Sequence, residues 1–251
     1  MIQDGNTIPI PKGTCLLCGK TFSKEEMAKH LDGCRGRESP PPGKVKPRRE
    51  TVFHIIVEGA ELPQYWMHLE APGSATLEDL DELLRDVWLD CCGHLSAFTI
   101  DDETYAVEEA MEAYDKNMDL ALGQALHPEL TFQHEYDFGT MTELGLHVVS
   151  ARERDIYTKD IRVLARNEPP DIKCEECGKP ATQVCYVCIW DGKGWVCDRC
   201  TGKHSCKDEG FLPVLNSPRT GMCGYGSEWE EDLEEDEYEE TGEDFDEEPE
   251  E

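Results

Sequence analysis

Eleven of the chain's thirteen cysteines fall in patterns that suit a metal ion. Cys15-Leu-Leu-Cys18 is followed by His30 and Cys34, giving C-x2-C-x11-H-x3-C. Farther on, Cys174-Glu-Glu-Cys177, Cys185-Tyr-Val-Cys188 and Cys197-Asp-Arg-Cys200 make three C-x2-C pairs within 27 residues, and His204, Cys206 and Cys223 follow. Zinc takes four nitrogen or sulfur ligands in a tetrahedron, and a C-x2-C turn aims two thiolates at one point. The expected content is about three zinc ions, one near the N-terminus and two near the C-terminus. Eight C-terminal cysteines would also satisfy two all-Cys sites, so it stays open whether Cys223 replaces His204 or Cys206. A site closed by four protein ligands has no position for a substrate water, so these zincs are expected to be structural. A disulfide framework needs an oxidising compartment, and MIQDGNTIPIPKG carries no export signal. A redox C-x-x-C needs a helix start in a βαβ setting, which is absent.

The elements that must position these donors are partly readable. Ser23 and Glu26 form a capping box, and the helix behind it carries His30 and Cys34 one turn apart. Phe22 and Met27 are placed to cover the metal. A segment this short cannot fold on burial alone, so metal binding would supply its stability. In the middle, Thr51–Val57, Gln64–Glu70, Leu95–Ile100, Thr131–Tyr136, Leu144–Val149 and Ile161–Leu164 read as strands. Thr76 opens a helix with Asp79 at the box position. Leu77, Leu80, Leu83, Leu84, Val87 and Trp88 form one apolar stripe, and Asp81 joins the other acids on the opposite face. Residues 106–126 read as helical in part. Cys91-Cys92 has no partner pair nearby, and one or both read as the end of the buried stripe. The fold expected is α+β: a mixed, mainly antiparallel sheet with a helix packed on one face, flanked by small zinc-stabilised modules and a disordered acidic tail. The boundaries are 12–35 for a zinc finger, 36–50 for a basic Pro-rich linker, 51–168 for the α+β domain, 171–226 for a two-zinc module and 227–251 for the tail.

Charge follows these boundaries. The 55 acidic and 24 basic side chains give a formal net charge of −31. Residues 1–50 hold 10 basic and 6 acidic groups, and residues 51–169 hold 7 against 25. Residues 170–227 balance at 7 and 7, and residues 228–251 hold 17 acids and no base. The excess argues against nucleic-acid affinity for the middle and the tail, because phosphate neutralisation needs Lys and Arg. Residues 1–50 escape that exclusion. No apolar run approaches the roughly 20 residues of a membrane helix, so a cytoplasmic, membrane-free protein is expected. The tail has large self-repulsion and little apolar content.

Three resemblances add to this. CLLCGKTFSKEEMAKHLDGC resembles a zinc finger of the two-Cys, two-His type, with one residue's difference in the inter-pair spacing and Cys34 in place of the last His. Such fingers read bases from near the helix start, which here holds Lys24, Glu25 and Glu26, so a protein-docking role is favoured over DNA reading. The C-terminal order is similar to the cross-brace modules called B-box, HIT-type and MYND fingers. That resemblance implies one site from Cys174, Cys177, Cys197 and Cys200, a second from Cys185, Cys188, His204 and Cys206, and a protein-binding role. Tyr186, Trp190 and Trp195 are either core beneath the knuckles or part of a docking surface.

Residues Phe53 to Ser150 resemble the domain named after the third open reading frame of a root-inducing plasmid, whose relatives are also labelled TnpR-like passenger proteins. The residues that carry it are Tyr65-Trp66, Thr76-Leu-Glu-Asp-Leu80, Trp88 with His94–Ile100, and Glu135-Tyr-Asp-Phe-Gly139. The resemblance implies a compact α+β fold and no settled activity. Many relatives follow Tyr-Asp-Phe-Gly with an acid and a Trp-x-His, where this chain has Thr140-Met-Thr-Glu-Leu-Gly-Leu-His147.

The function expected is a zinc-binding, non-catalytic adaptor with a protein partner. One alternative is a mobile-element-associated nucleic-acid-binding protein using the finger and linker. Another is a hydrolase or nuclease centred on His94 and Asp137, with His134, Glu135 and His147 as further acid/base groups. Against that second alternative, Asp137 before Phe-Gly suits a side-chain-to-backbone turn, and His134 alternates with Glu135 along a strand.

Overall fold

The protein is described from a computed structural model covering residues 8–34, 46–107, 110 and 116–227. The expected tail from residue 228, most of the basic linker and part of 106–126 lie outside the described residues.

Among the described residues, thirteen strands and three α-helices run in the order β1 (Gly13–Cys15), β2 (Thr21–Phe22), α1 (Lys24–Cys34), β3 (Arg48–Gly59), β4 (Trp66–Pro72), α2 (Leu77–Leu84), β5 (Ser96–Ile100), β6 (Glu103–Ala106), β7 (Lys116–Asn117), α3 (Leu122–Ala125), β8 (Thr131–Tyr136), β9 (Thr142–Ile156), β10 (Arg162–Asn167), β11 (Gln183–Cys185), β12 (Trp195–Val196) and β13 (Phe211–Pro213). The large sheet is mainly antiparallel and has the order β2-β1-β10-β4-β3-β9-β8-β5-β6-β7, and a small sheet has the order β12-β11-β13.

Strand alternation sets the two faces of the large sheet. On one face, Phe53, Ile55 and Val57 of β3, Met67 and Leu69 of β4, and Leu144, Leu146 and Val148 of β9 join one buried cluster with Leu77, Leu80, Leu84 and Trp88. Thr76 caps α2: its Oγ1 accepts from Asp79 N at 3.1 Å, and Thr76 N donates to Asp79 Oδ2 at 2.8 Å. Past Leu84 the helix widens into a π turn, Arg85–Leu89, which buries both Trp88 and Leu89. Asp81 departs from expectation. It is buried, and it takes hydrogen bonds from Arg85 Nε and at His134 Nε2, each at 2.6 Å. Burial pushes its carboxyl up, but the His134 contact and the Arg85 charge outweigh this and hold it below the ordinary value.

On the opposite face of β4 stand Trp66, His68 and Glu70, and here the N-terminal Cys/His segment attaches. β1 runs antiparallel to β10, with Gly13 opposite Asn167 and Cys15 opposite Ala165. A Cβ on Gly13 would run into the Trp66 ring and the Arg166 carbonyl, so only glycine lets the strand pass over that ring. Met27 and Leu31 of α1, fully buried, pack with Cys15, Cys34, Trp66, Leu164 and Ala165. Two ion pairs, Lys24 with Glu58 and Asp32 with Arg152, cross from α1 to the sheet. Residues 13–34 are therefore joined to the sheet by strand pairing, apolar packing and ion pairs.

Among the described residues, no helix is long and apolar enough to cross a membrane.

Candidate metal centres

Among the described residues, the structure gathers Cys and His donors into four quartets, in each of which the donor atoms lie within 4.8 Å of one another. With Zn–S bonds of about 2.3 Å and Zn–N bonds of about 2.0 Å, tetrahedral geometry puts two sulfurs about 3.8 Å apart and sulfur and nitrogen about 3.5 Å apart. The described residues include every cysteine, and none is in a disulfide.

The first quartet is Cys15, Cys18, His30 and Cys34. The turn after β1 supplies the thiols of Cys15 and Cys18, and α1 supplies the other two donors. The capping box that starts α1 is formed: Glu26 N donates to Ser23 Oγ at 3.3 Å and Ser23 N donates to Glu26 Oε2 at 3.2 Å. Cys15 and Cys34 sulfurs are 3.9 Å apart, and Cys18 Sγ lies 3.3 Å from His30 Nε2. Phe22 stacks on the His30 ring at 4.1 Å between centroids, which fixes the imidazole's orientation.

The two C-terminal quartets interleave. Cys174, Cys177, Cys197 and Cys200 come together, and so do Cys185, Cys188, His204 and Cys206, so alternate pairs share a centre. Cys177 and Cys197 sulfurs are 3.7 Å apart. Cys188 Sγ lies 3.6 Å from Cys206 Sγ and 3.3 Å from His204 Nε2. Gly194 makes this crossing feasible. At φ +90, a Cβ there would sit 2.8 Å from the Cβ atoms of both Cys185 and Cys188. Apolar support is slight: Val196 with Cys174, Cys197 and Cys200 in one cluster, and Val184, Ile189 and Leu212 in another.

Burial and crowding keep several of these thiols protonated in the absence of a cation. Burial, then the neighbouring thiols, push Cys34 up to about 11 and Cys188 and Cys200 up to about 12. Four such donors cannot all ionise side by side unless a cation sits among them. Within a knuckle, backbone amides work the other way. Burial opposes it, yet hydrogen bonds from Cys197, Glu176 and Cys177 bring Cys174 down to about 7.

Cys223 belongs to neither C-terminal quartet, which removes it as a substitute for His204 or Cys206. It sits with Cys91, Cys92 and His94 in the fourth quartet. Cys91 packs against the core and so extends the α2 stripe as expected of one of the two, whereas Cys92 is exposed. The signal was the C-C-x-H run itself, three soft donors in four residues. Its fourth donor lies 131 residues beyond Cys92, out of reach of any spacing rule.

His94 and Asp137 are neighbours, with Nε2 and Oδ2 3.5 Å apart. Both are otherwise engaged. His94 Nε2 is 3.1 Å from the sulfurs of Cys92 and Cys223. Asp137, at φ 63, accepts from the amides of Gly139 and Thr140 at 3.1 and 3.2 Å, which is the turn expected of it. Its other oxygen takes the Thr140 hydroxyl and, at 2.5 Å, Arg219 Nη2. Burial alone would raise this carboxyl, but the Thr140 and Arg219 contacts hold it well below the usual range. His134 is committed to Asp81, and His147 and Glu135 lie on strand positions whose neighbours in sequence are buried, so the structure brings His94 and Asp137 together but does not show the other three joining them.

Arg219 fastens the C-terminal segment to the large sheet. It is fully buried, and its Nη1 donates to Thr140 O at 2.5 Å and Thr142 Oγ1 at 3.1 Å. Ser217 Oγ donates to Trp88 O at 2.7 Å, and Asn216 exchanges hydrogen bonds with Asn167 at 2.7 and 2.9 Å.

No protein-family model matches the chain, and no curated protein matches it. Among solved structures, it is similar to a protein of unknown function from Methanosarcina mazei Go1, at 19% identity over 47% of this chain and 69% of that one, with a TM-score of 0.40.

Proposed function

We propose that the chain is a zinc-binding, non-catalytic adaptor whose C-terminal cross-brace module docks a protein partner. Zinc is the ion that suits thiolate and imidazole donors in tetrahedral sets. Each of the three quartets expected from spacing has four protein donors, which leaves no place for a substrate. The finger and the cross-brace module then act as small zinc-stabilised units flanking an α+β sheet. The middle segment's likeness to the plasmid open-reading-frame domain still rests on its motif residues. Within that motif, Asp137 anchors Arg219, a structural task.

The observation that carries the docking role is an exposed apolar group on one knuckle. Tyr186, Val187 and Trp190 are 50%, 41% and 43% exposed, whereas Cys185 and Ile189 beside them are buried. Trp195 packs instead against Val184 and Ile189 as core. Exposed aromatic side chains are frequent anchors of protein interfaces. The nucleic-acid alternative loses support at the finger. Lys24, at the helix start, is partly buried and paired with Glu58, so it is not free to meet phosphate or base.

The test is affinity capture from the native host with the full chain, scoring protein and nucleic acid together. The Tyr186→Ser/Trp190→Ser variant is expected to keep its zinc and lose a protein partner that the unaltered chain retains, by at least tenfold. Equal capture by both, or salt-sensitive nucleic acid as the main species recovered, overturns the proposal.

A further inference from the structure

We propose that Cys91, Cys92, His94 and Cys223 hold a fourth zinc ion, and that this ion is a releasable clasp between the large sheet and the C-terminal segment. Its geometry resembles the other three quartets. Cys92 Sγ lies 3.8 Å from both Cys91 Sγ and Cys223 Sγ, and His94 Nε2 lies 3.1 Å from Cys92 Sγ and from Cys223 Sγ. The sulfur–sulfur separations are those of tetrahedron corners, the sulfur–nitrogen ones are shorter than the ideal of about 3.5 Å, and the sulfur–sulfur ones far exceed the roughly 2.05 Å of a disulfide.

The backbone is shaped to bring the donors in. The π turn ends at Asp90, whose Oδ1 accepts from Gly93 N at 3.2 Å, and Gly93 turns the chain at φ +72. That turn folds Cys91, Cys92 and His94 back on one another. His94 is braced from behind, its amide donating to Tyr136 Oη at 3.2 Å and its ring standing edge-on to the Tyr136 ring at 5.7 Å. Across the gap, Cys223 holds φ +43, a conformation a non-glycine residue rarely adopts. Contacts elsewhere must hold it there, and a metal ligand bond is one such contact.

The charges also fit. Three thiolates and one imidazole around a dication leave a net charge of −1. Arg219 Nη2 lies 3.7 Å from Cys91 Sγ while it also holds Asp137, so a buried guanidinium faces this excess.

The site differs from the other three in one respect. Each of those has at least one buried donor, whereas Cys92 and Cys223 are exposed and Cys91 and His94 are half-buried. Water and chelators therefore reach this ion first. The ion also joins parts of the chain that the other quartets leave separate, since each of those draws its donors from one short stretch.

The experiment is native mass spectrometry of the full-length, reduced, zinc-loaded protein, followed by timed exposure to a chelator. Four ions per chain are expected, and one should leave well before the rest. Cys223→Ser should bind three and lack the fast phase, with faster amide exchange over residues 214–227 than the unaltered protein. If that variant fails to fold, alkylation of the unaltered protein decides the matter. Cys92 and Cys223 should be protected by zinc and become the first thiols labelled as the chelator acts. Three ions in the unaltered protein with Cys92 and Cys223 freely alkylated, or a Cys92–Cys223 disulfide there, overturns the proposal. So does a fourth ion retained by Cys223→Ser. A count near zero would instead mark failure of the zinc reading for all the quartets, a separate result.

Discussion

Arg219→Met is expected to destabilise the fold by about 3–5 kcal/mol, the cost of breaking a buried ion pair from one side. Arg219 is fully buried, and its removal leaves the nearly as buried Asp137 carboxylate with the Thr140 and Gly139 donors and with His94 3.5 Å away. Thr140 O and Thr142 Oγ1 lose their donor as well. Neutralising the survivor should recover part of the loss, so Arg219→Met/Asp137→Asn should be more stable than the single variant. Urea unfolding followed by tryptophan fluorescence measures both. A single-variant loss below about 1 kcal/mol would reduce the pair to the level of a surface ion pair and sink this account of how the C-terminal segment is held.

The second large effect concerns metal removal. A structural zinc contributes about 10–16 kcal/mol of apparent binding free energy to small metal-dependent folds. In the C-terminal module little else is available. One of its buried clusters is Val196 with three cysteines, and the other is Val184, Ile189 and Leu212. Chelation under reducing conditions is therefore expected to unfold residues 174–213, with their amides exchanging as in an unfolded chain. The centre of the large sheet should hold, because Phe53, Ile55, Leu69, Leu80, Leu146 and their neighbours form a core with no metal in it. Hydrogen exchange with peptide-level mass spectrometry separates the two regions. Unchanged protection over 174–213 in demonstrably zinc-free protein would refute metal-dependent folding of the module.

What was legible in the sequence was whatever depends on near neighbours. Thr51–Val57 is rich in β-branched residues and Thr131–Tyr136 alternates, and β3 and β8 contain them. Thr76 with Asp79 marks a helix start because the cap is closed within three residues. The C-x2-C pairs announce themselves because a knuckle is a local turn. The contacts that assemble these pieces left no such trace. Nothing near Gly13 indicates that β1 will lie against β10, more than 150 residues away. Asp81 sits among surface acids in the sequence, and only the arrival of His134 from β8 and the π turn at Arg85 makes it a buried anchor. The partner of Asp137 was hidden in the same way. The turn it makes is local, whereas Arg219 comes from another module.

The pairing of β1 with β10 has a practical consequence. β10 is bonded to β1 on one side and β4 on the other, and Trp66 lies fully buried beneath the finger. Removing residues 1–45 would do more than delete a finger and a run of positive charge. It would leave β10 as a bare sheet edge beside uncovered Trp66 and Leu164, the combination that invites one molecule to pair with the next. Such a truncation is expected to come out oligomeric or insoluble, as size-exclusion chromatography would show. Its failure to bind any ligand would then report self-association and not the loss of a contact. Neutralising Arg48 and Arg49 on the intact chain leaves that edge covered.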